Sequence, residues 1–139
     1  MHPRARQLID ARGLAPHPEG GWYRQVYKSG ERVTRAHDGA ERSALTTIEF
    51  LLAAGTHSAW HRVQSDEAWH FYEGDPLELL VRVDGRETAV TLDAGRRVHV
   101  VPARAWQSAR PLGAYAFVGC TVGPGFEFAD FELGEPPQD

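Results

Sequence analysis

A chain of 139 residues has room for one hydrophobic core and is too short for two ordinary domains. Fifteen Lys and Arg against nineteen Asp and Glu leave a formal charge of −4, and no basic run is present, which excludes the electrostatic footprint of a nucleic-acid binder. The lone Cys120 excludes an intrachain disulfide, and no apolar run reaches the length of a membrane span or the centre of a signal peptide, so a soluble protein of a reducing cytoplasm is expected.

Residues 3–12 read as the only helix. Ala5, Leu8 and Ile9 share a face, Pro3 suits a first turn and Gly13 a stop. Pro16-His17-Pro18-Glu19-Gly20-Gly21 then forces a loop. From there the punctuation is that of an all-β domain running from about residue 21 to about 133. Trp22 to Tyr27 is strand-like. Lys28 to Arg42, polar and interrupted by Gly30 and Gly39, reads as a mobile connection. Ser43 to Leu52 and Glu67 to Tyr72 are strands. Leu77 to Val83 and Glu87 to Leu92 flank Asp84-Gly85, a hairpin signal because both positions tolerate positive φ. Arg97 to Val101, Ala105 to Ala109 and Ala114 to Val122 follow. Phe126 to Leu133 adds an edge segment, and Pro136-Pro137 ends the order. Short strands at regular intervals predict a sandwich or barrel with one short N-terminal helix, in a single domain over 1–139.

The chemistry concentrates between Gly55 and Gly74. On a strand, His61 and Val63 share one face, and Glu67 falls opposite them if the next strand pairs antiparallel. Trp69 and Phe71 share the face of Glu67, which puts the carboxylate in an apolar wall where it needs a partner; His61 is the candidate. Burial and mutual charge then shift both pKa values. The competing reading is a core histidine satisfied by hydrogen bonds. By period two His70 faces away from Glu67, toward the outer sheet face or a subunit contact. Trp60, Trp69, Tyr72 and Trp106 are either core packing or a stacking wall for a sugar or other flat ligand, with Trp106 beside Gln107 the best placed. His57 falls in a turn at the barrel mouth, and His17, between prolines, reads as a loop residue. Cys120, within Ala116 to Val122, reads as a buried and unreactive strand residue.

The spacing Gly55, His61, Glu67, Gly74 resembles the first cupin motif, with Val63 where that motif carries a second histidine. Gly95 to Gln107 resembles the second motif, with Pro102 kept, Arg104 at the glycine position and Gln107 at the histidine position. Together with Pro16 to Arg24, Ser58 to Val63, Ser65 to Tyr72 and Pro124 to Phe128, these make the chain similar to the cupin superfamily and, within it, the small single-domain cupin-5 group. The resemblance implies a double-stranded β-helix, or jelly-roll barrel, with a cavity between its sheets, and a homodimer. Two of four ligand positions carry Val63 and Gln107, so no metal cofactor is expected. A divalent ion, if bound, would fall to His61, Glu67 and Gln107.

Three functions compete. One is a metal-independent acid–base enzyme of epimerase or isomerase type acting on a sugar-like or carbonyl-bearing ligand, with His61 and Glu67 catalytic. Arg24, Ser58, Trp60, Trp69, His70, Tyr72, Trp106 and Gln107 are then candidates for binding the ligand. The second is a non-catalytic module binding a metabolite in the same cavity. The third is a metal-dependent dioxygenase or isomerase. A nucleic-acid or membrane role has no support in the chain.

Overall fold

The computed structural model describes residues 1–136; Pro137, expected to end the order together with Pro136, lies outside the described residues. The helix α1 (Pro3–Arg12) has the expected bounds. The His2 ring accepts the Arg4 N–H at 3.1 Å, and Gly13, at φ 64°, closes the helix with its N–H on the Ile9 carbonyl. Ala5 and Leu8 are buried against Leu51, Ala53, Tyr115 and Phe117. Ion pairs of 2.8 Å from Arg4 to Glu73 and from Arg12 to Glu49 hold its two ends, so Glu49 faces the helix.

The strands are β1 (Ala15–Pro16), β2 (Trp22–Lys28), β3 (Arg32–Thr34), β4 (Glu41–Ser43), β5 (Thr46–Ala53), β6 (Ser58–Arg62), β7 (Asp66–Gly74), β8 (Leu77–Val83), β9 (Arg86–Leu92), β10 (Val98–Val101), β11 (Trp106–Pro111), β12 (Tyr115–Gly123) and β13 (Glu132–Leu133). They form an antiparallel six-stranded sheet in the order β1-β2-β5-β12-β7-β10, an antiparallel five-stranded sheet β13-β6-β11-β8-β9 and the small hairpin β3-β4. The two large sheets enclose a core that includes Phe50, Leu52, Trp69, Phe71, Leu79 and Val118. This is the expected all-β jelly roll. The hairpin at Asp84-Gly85 is present with φ of 50° and 75° at its two turn residues.

Three expectations need correction. The strands of His61 and Glu67 do not pair: β6 lies in the smaller sheet and β7 in the larger, so the short link between them crosses from one sheet to the other. The two residues meet because both point inward, each buried on its own sheet. The stretch from Lys28 to Arg42 is no loose connection, for it carries the β3-β4 hairpin and the buried Arg35 guanidinium, which ion-pairs with Asp38 at 2.6 Å and Asp130 at 3.0 Å. Period-two reading misses it because the anchor is a single arginine whose partner is almost a hundred residues away in the chain. The tail is a 3-10 turn (Phe128–Asp130) and a two-residue strand rather than a continuous edge segment.

Gly20, next to Glu19, makes a close backbone approach to His57. It sits at φ 109°, and a Cβ there would overlap the carbonyl oxygen of His57. Only without a side chain can the Pro16 to Gly21 turn lie against the link between β5 and β6. Ala59 N–H then donates to the Glu19 carbonyl at 2.8 Å. Gly20→Ala is expected to cost about 2–3 kcal/mol from backbone strain plus overlap. A urea unfolding curve would show it as a lower midpoint at unchanged slope.

Candidate functional site

A cavity of about 230 Å³ opens between the sheets. Its polar floor is His17, Glu19, His61 and Glu67, and Val63, Ile48 and Cys120 fill the spaces between them. Phe126, Phe128 and Phe131 cover it from the tail, and Tyr23, Gln25 and Lys28 enter from β2. The aromatic cover is fixed from below. Asp130 accepts from both Arg35 (3.0 Å) and Arg42 (2.7 Å), and β13 pairs Leu133 with His61. Phe131 consequently lies over the His61 ring, with centroids 5.7 Å apart and planes at 28°.

The tautomer of His61 follows from its partners. Nδ1 lies 2.8 Å from the Ala59 carbonyl, which can only accept, so Nδ1 carries the proton. A Glu19 carboxyl oxygen sits 3.3 Å from the same nitrogen. Nε2 has no hydrogen-bond partner among the described residues, and the ring lines the cavity. In a neutral imidazole Nε2 therefore offers a lone pair to whatever occupies the cavity. Burial holds the ring neutral by lowering its pKa from 6.5, against a smaller upward pull from Glu67.

Glu19 bridges two imidazoles. Its other oxygen is 3.4 Å from His17 Nδ1, which accepts the Glu19 backbone N–H at 3.1 Å. Ser58 Oγ donates to the carboxyl oxygen near His61. Burial pushes the Glu19 pKa up to about 8, with Ser58 opposing, and pushes His17 down to about 4, helped by its closeness to His61.

Glu67 is held by a buried relay. The Trp69 indole N–H donates to Gln107 Oε1 at 2.7 Å, and the Gln107 amide N–H donates to Glu67 Oε1 at 2.8 Å. An indole has only a donor, so the orientation of the amide is fixed. Burial raises Glu67 to about 7, against the pull of His61. Cys120 beside it is also raised, by burial and by both carboxyls, and stays a thiol.

Of the residues singled out in the sequence, His61 and Glu67 share the cavity, Ser58 orients Glu19, and Trp69 and Gln107 support Glu67 from inside the wall. The remainder lie elsewhere. Arg24 donates to the Arg12 carbonyl at 3.3 Å, near the helix end. His70 and Tyr72 point to the outer face of β7, and Trp60 turns away from the cavity. Trp106 is covered by the Arg62 guanidinium, 4.8 Å from the ring centroid, on a different hollow, so it is not a stacking wall beside His61. Alternation explains the difference, since Gln107 points inward and its neighbour cannot. Glu19 and His17 belong to the site although the sequence reads their segment as a loop. The signal was a chemically loaded turn, His and Glu two apart between prolines and glycines, which looks identical to a solvated loop in sequence.

A metal of the usual cupin kind does not fit these residues. Val63 supplies no donor, and Gln107 is held in the wall between Trp69 and Glu67, a neutral and weak ligand whose oxygen already accepts from the indole. Among the described residues no three His, Cys, Asp or Glu side chains gather where they could share one.

The family Cupin_5, described as Cupin superfamily (DUF985), matches residues 6–134. A hypothetical protein from Leishmania major is 33% identical with a TM-score of 0.88, the match covering 94% of this chain and 86% of that one. A protein from Shewanella oneidensis is 35% identical with a TM-score of 0.82, over 94% and 84%. Oxalate decarboxylase from Bacillus subtilis shares the fold alone, at 12% identity and a TM-score of 0.63, over 85% of this chain and 29% of that one. The search of curated proteins found no significant match.

The buried groups make stability depend on pH in a defined direction. Glu19 and Glu67 hold their protons more tightly folded than unfolded, so their contribution is lost as pH rises from about 4.5 to about 8 and about 7 respectively. His17 binds its proton more tightly unfolded, so it adds stability as pH rises from about 4 to 6.5, and His61 acts in the same direction. Above 6.5 the histidine contribution approaches its limit and the carboxyl loss outweighs it. Urea midpoints should therefore fall from pH 6.5 to 8, and Glu19→Gln should flatten that fall. An unchanged slope in the variant would show that Glu19 ionises normally.

Proposed function

We propose that this chain, which belongs to the Cupin_5 family of the cupin superfamily, is a metal-independent acid–base enzyme of epimerase or isomerase type. Its ligand is a small molecule with a C–H made acidic by a neighbouring carbonyl, as in a sugar-like ketone. The observation that carries this reading is a neutral imidazole with its lone pair free toward a cavity, faced from the opposite sheet by a carboxyl whose pKa is about 7.

The steps balance with these groups alone. His61 Nε2 takes the proton from carbon, and the C–H electron pair moves toward the carbonyl oxygen as an enolate. The Ala59 carbonyl keeps the Nδ1 proton, and the carboxylate left on Glu67 when it gives up its own proton favours the imidazolium as it forms. Glu67 delivers a proton from the other side, and the ligand leaves with that carbon inverted. The enzyme returns to its starting state when His61 releases its proton and Glu67 regains one. Residues on facing sheets suit such an inversion because one ligand can lie between them. The aromatic cover from the tail keeps water off the enolate.

We also propose a reducing cytoplasm, with which the buried free Cys120 is compatible, and a homodimer. Tyr72, Val98 and Val100, exposed on the outer face of β7 and β10, supply apolar surface that a second copy would cover. Among the described residues no helix is long and apolar enough to cross a membrane.

Deuterium exchange tests the chemistry before the substrate is identified. The protein is incubated in D₂O and a chelator with a panel of hydroxyketones, free sugars and sugar acids, and label next to the carbonyl is read by mass spectrometry. Exchange by the wild type should fall about 10²–10⁴-fold in His61→Asn at an unchanged unfolding midpoint. Exchange retained by the variant contradicts the assignment, and a ligand that raises the wild-type midpoint without exchanging favours the non-catalytic module.

The pH profile is a separate expectation. Turnover needs neutral His61 together with protonated Glu67, so the rate should plateau between a limb below 6.5 and a fall centred near 7. In Glu67→Gln the alkaline limb should vanish along with inversion, while exchange by His61 persists; an alkaline limb that survives the substitution would assign it to another group.

A further inference from the structure

A second hollow, of about 540 Å³, shares no lining residue with the His61 cavity. It lies where the end of β6, the β8-β9 turn and the turn into β11 meet, and three arginines line it: Arg62, Arg82 and Arg104. Asp84 is the one acidic residue among its described lining. Arg62 is already engaged, with its Nε donating to Glu132 at 2.7 Å and its guanidinium over Trp106. Among the described residues no ion pair joins Arg82 or Arg104 to a carboxylate, although Glu87 stands opposite Arg82 in register.

Two features go beyond a basic surface. Arg82 Nε is shielded from solvent and has no hydrogen-bond acceptor, an uncommon state for a charged donor. Arg104 sits at φ 68°, at the position where the second cupin motif carries glycine, with its N–H on the Val63 carbonyl at 2.9 Å. A left-handed conformation disfavours any side chain, and here the chain holds a long cationic one at that point.

We propose that this hollow is a binding site for a phosphorylated small molecule, its phosphoryl oxygens taken by Arg82 and Arg104 beside the fixed Arg62. Guanidinium forks match phosphate oxygens, and among the described residues no carboxylate pairs with Arg82 or Arg104, while the shielded Nε holds the Arg82 side chain's need for an acceptor at this wall. The site is independent of the reaction assigned to His61, and its test reads binding alone.

The test is calorimetric titration of the full chain with pyrophosphate, inorganic phosphate and acetate at one ionic strength. Saturable pyrophosphate binding is expected, tighter than phosphate and far tighter than acetate. Arg104→Gly restores the residue that backbone favours, so the variant should fold at least as well while binding at least about 10-fold more weakly. Arg82→Gln should weaken binding to a similar degree. Lys28→Gln, at the mouth of the other cavity, should change nothing. Absence of saturable binding by the wild type, unchanged binding in both arginine variants, or a loss confined to Lys28→Gln would each overturn the proposal, the last by moving the anion into the His61 cavity.

Discussion

One backbone carbonyl sets the character of the site. By accepting the Nδ1 proton of His61, Ala59 fixes which nitrogen of a buried ring faces the cavity. The surrounding structure holds that arrangement in place. Gly20 lets the loop before β2 approach closely enough to set Glu19 beside the ring, and Ser58 takes one of its carboxyl oxygens. Phe131 closes the stack from above because Asp130 is clamped by two guanidinium groups. A charged imidazole in such surroundings would be poorly solvated, and a neutral one is a base with nowhere to direct its lone pair except at a ligand.

Of the four positions where the cupin motifs carry ligands, Glu67 and Gln107 are joined by a hydrogen bond here, His61 is turned to the Ala59 carbonyl, and Val63 carries no polar group. Gln107 stands at a ligand position yet is spent between Trp69 and Glu67. Its amide neither ionises nor turns, so it fixes the carboxyl while leaving the carboxyl's proton free to move. Burial then raises Glu67 into the neutral range, where a carboxyl can both give and take a proton. The two carboxyls and two imidazoles thus hold opposed shifts within one small cavity, the pattern expected where acid and base roles are divided.

Much of the fold was legible in the chain. The helix bounds, the strands from Leu77 to Leu92 and the hairpin at Asp84-Gly85 rest on local periodicity and turn chemistry, which act over a few residues. Matching motif spacing placed His61 and Glu67 in one interior, although sheet alternation alone could not say that they belong to facing sheets. What escaped was carried by distant partners. Arg35 looked like a residue of a loose polar stretch because its carboxylate, Asp130, sits in the tail. Glu19 looked like a loop residue because its burial depends on Ser58 and on a glycine contact with His57. Of the two readings open for Trp106, the stacking wall beside Gln107 fails, since adjacency in sequence means opposite faces on a strand.

The most direct measurement is the protonation state of His61 by nitrogen-15 NMR at pH 7. Long-range couplings from the ring carbons distinguish a proton on Nδ1 from one on Nε2 and from the doubly protonated ion. The account predicts a neutral ring protonated at Nδ1, with Nε2 shifting when a ligand enters. A ring protonated at Nε2, or an imidazolium at that pH, would contradict it.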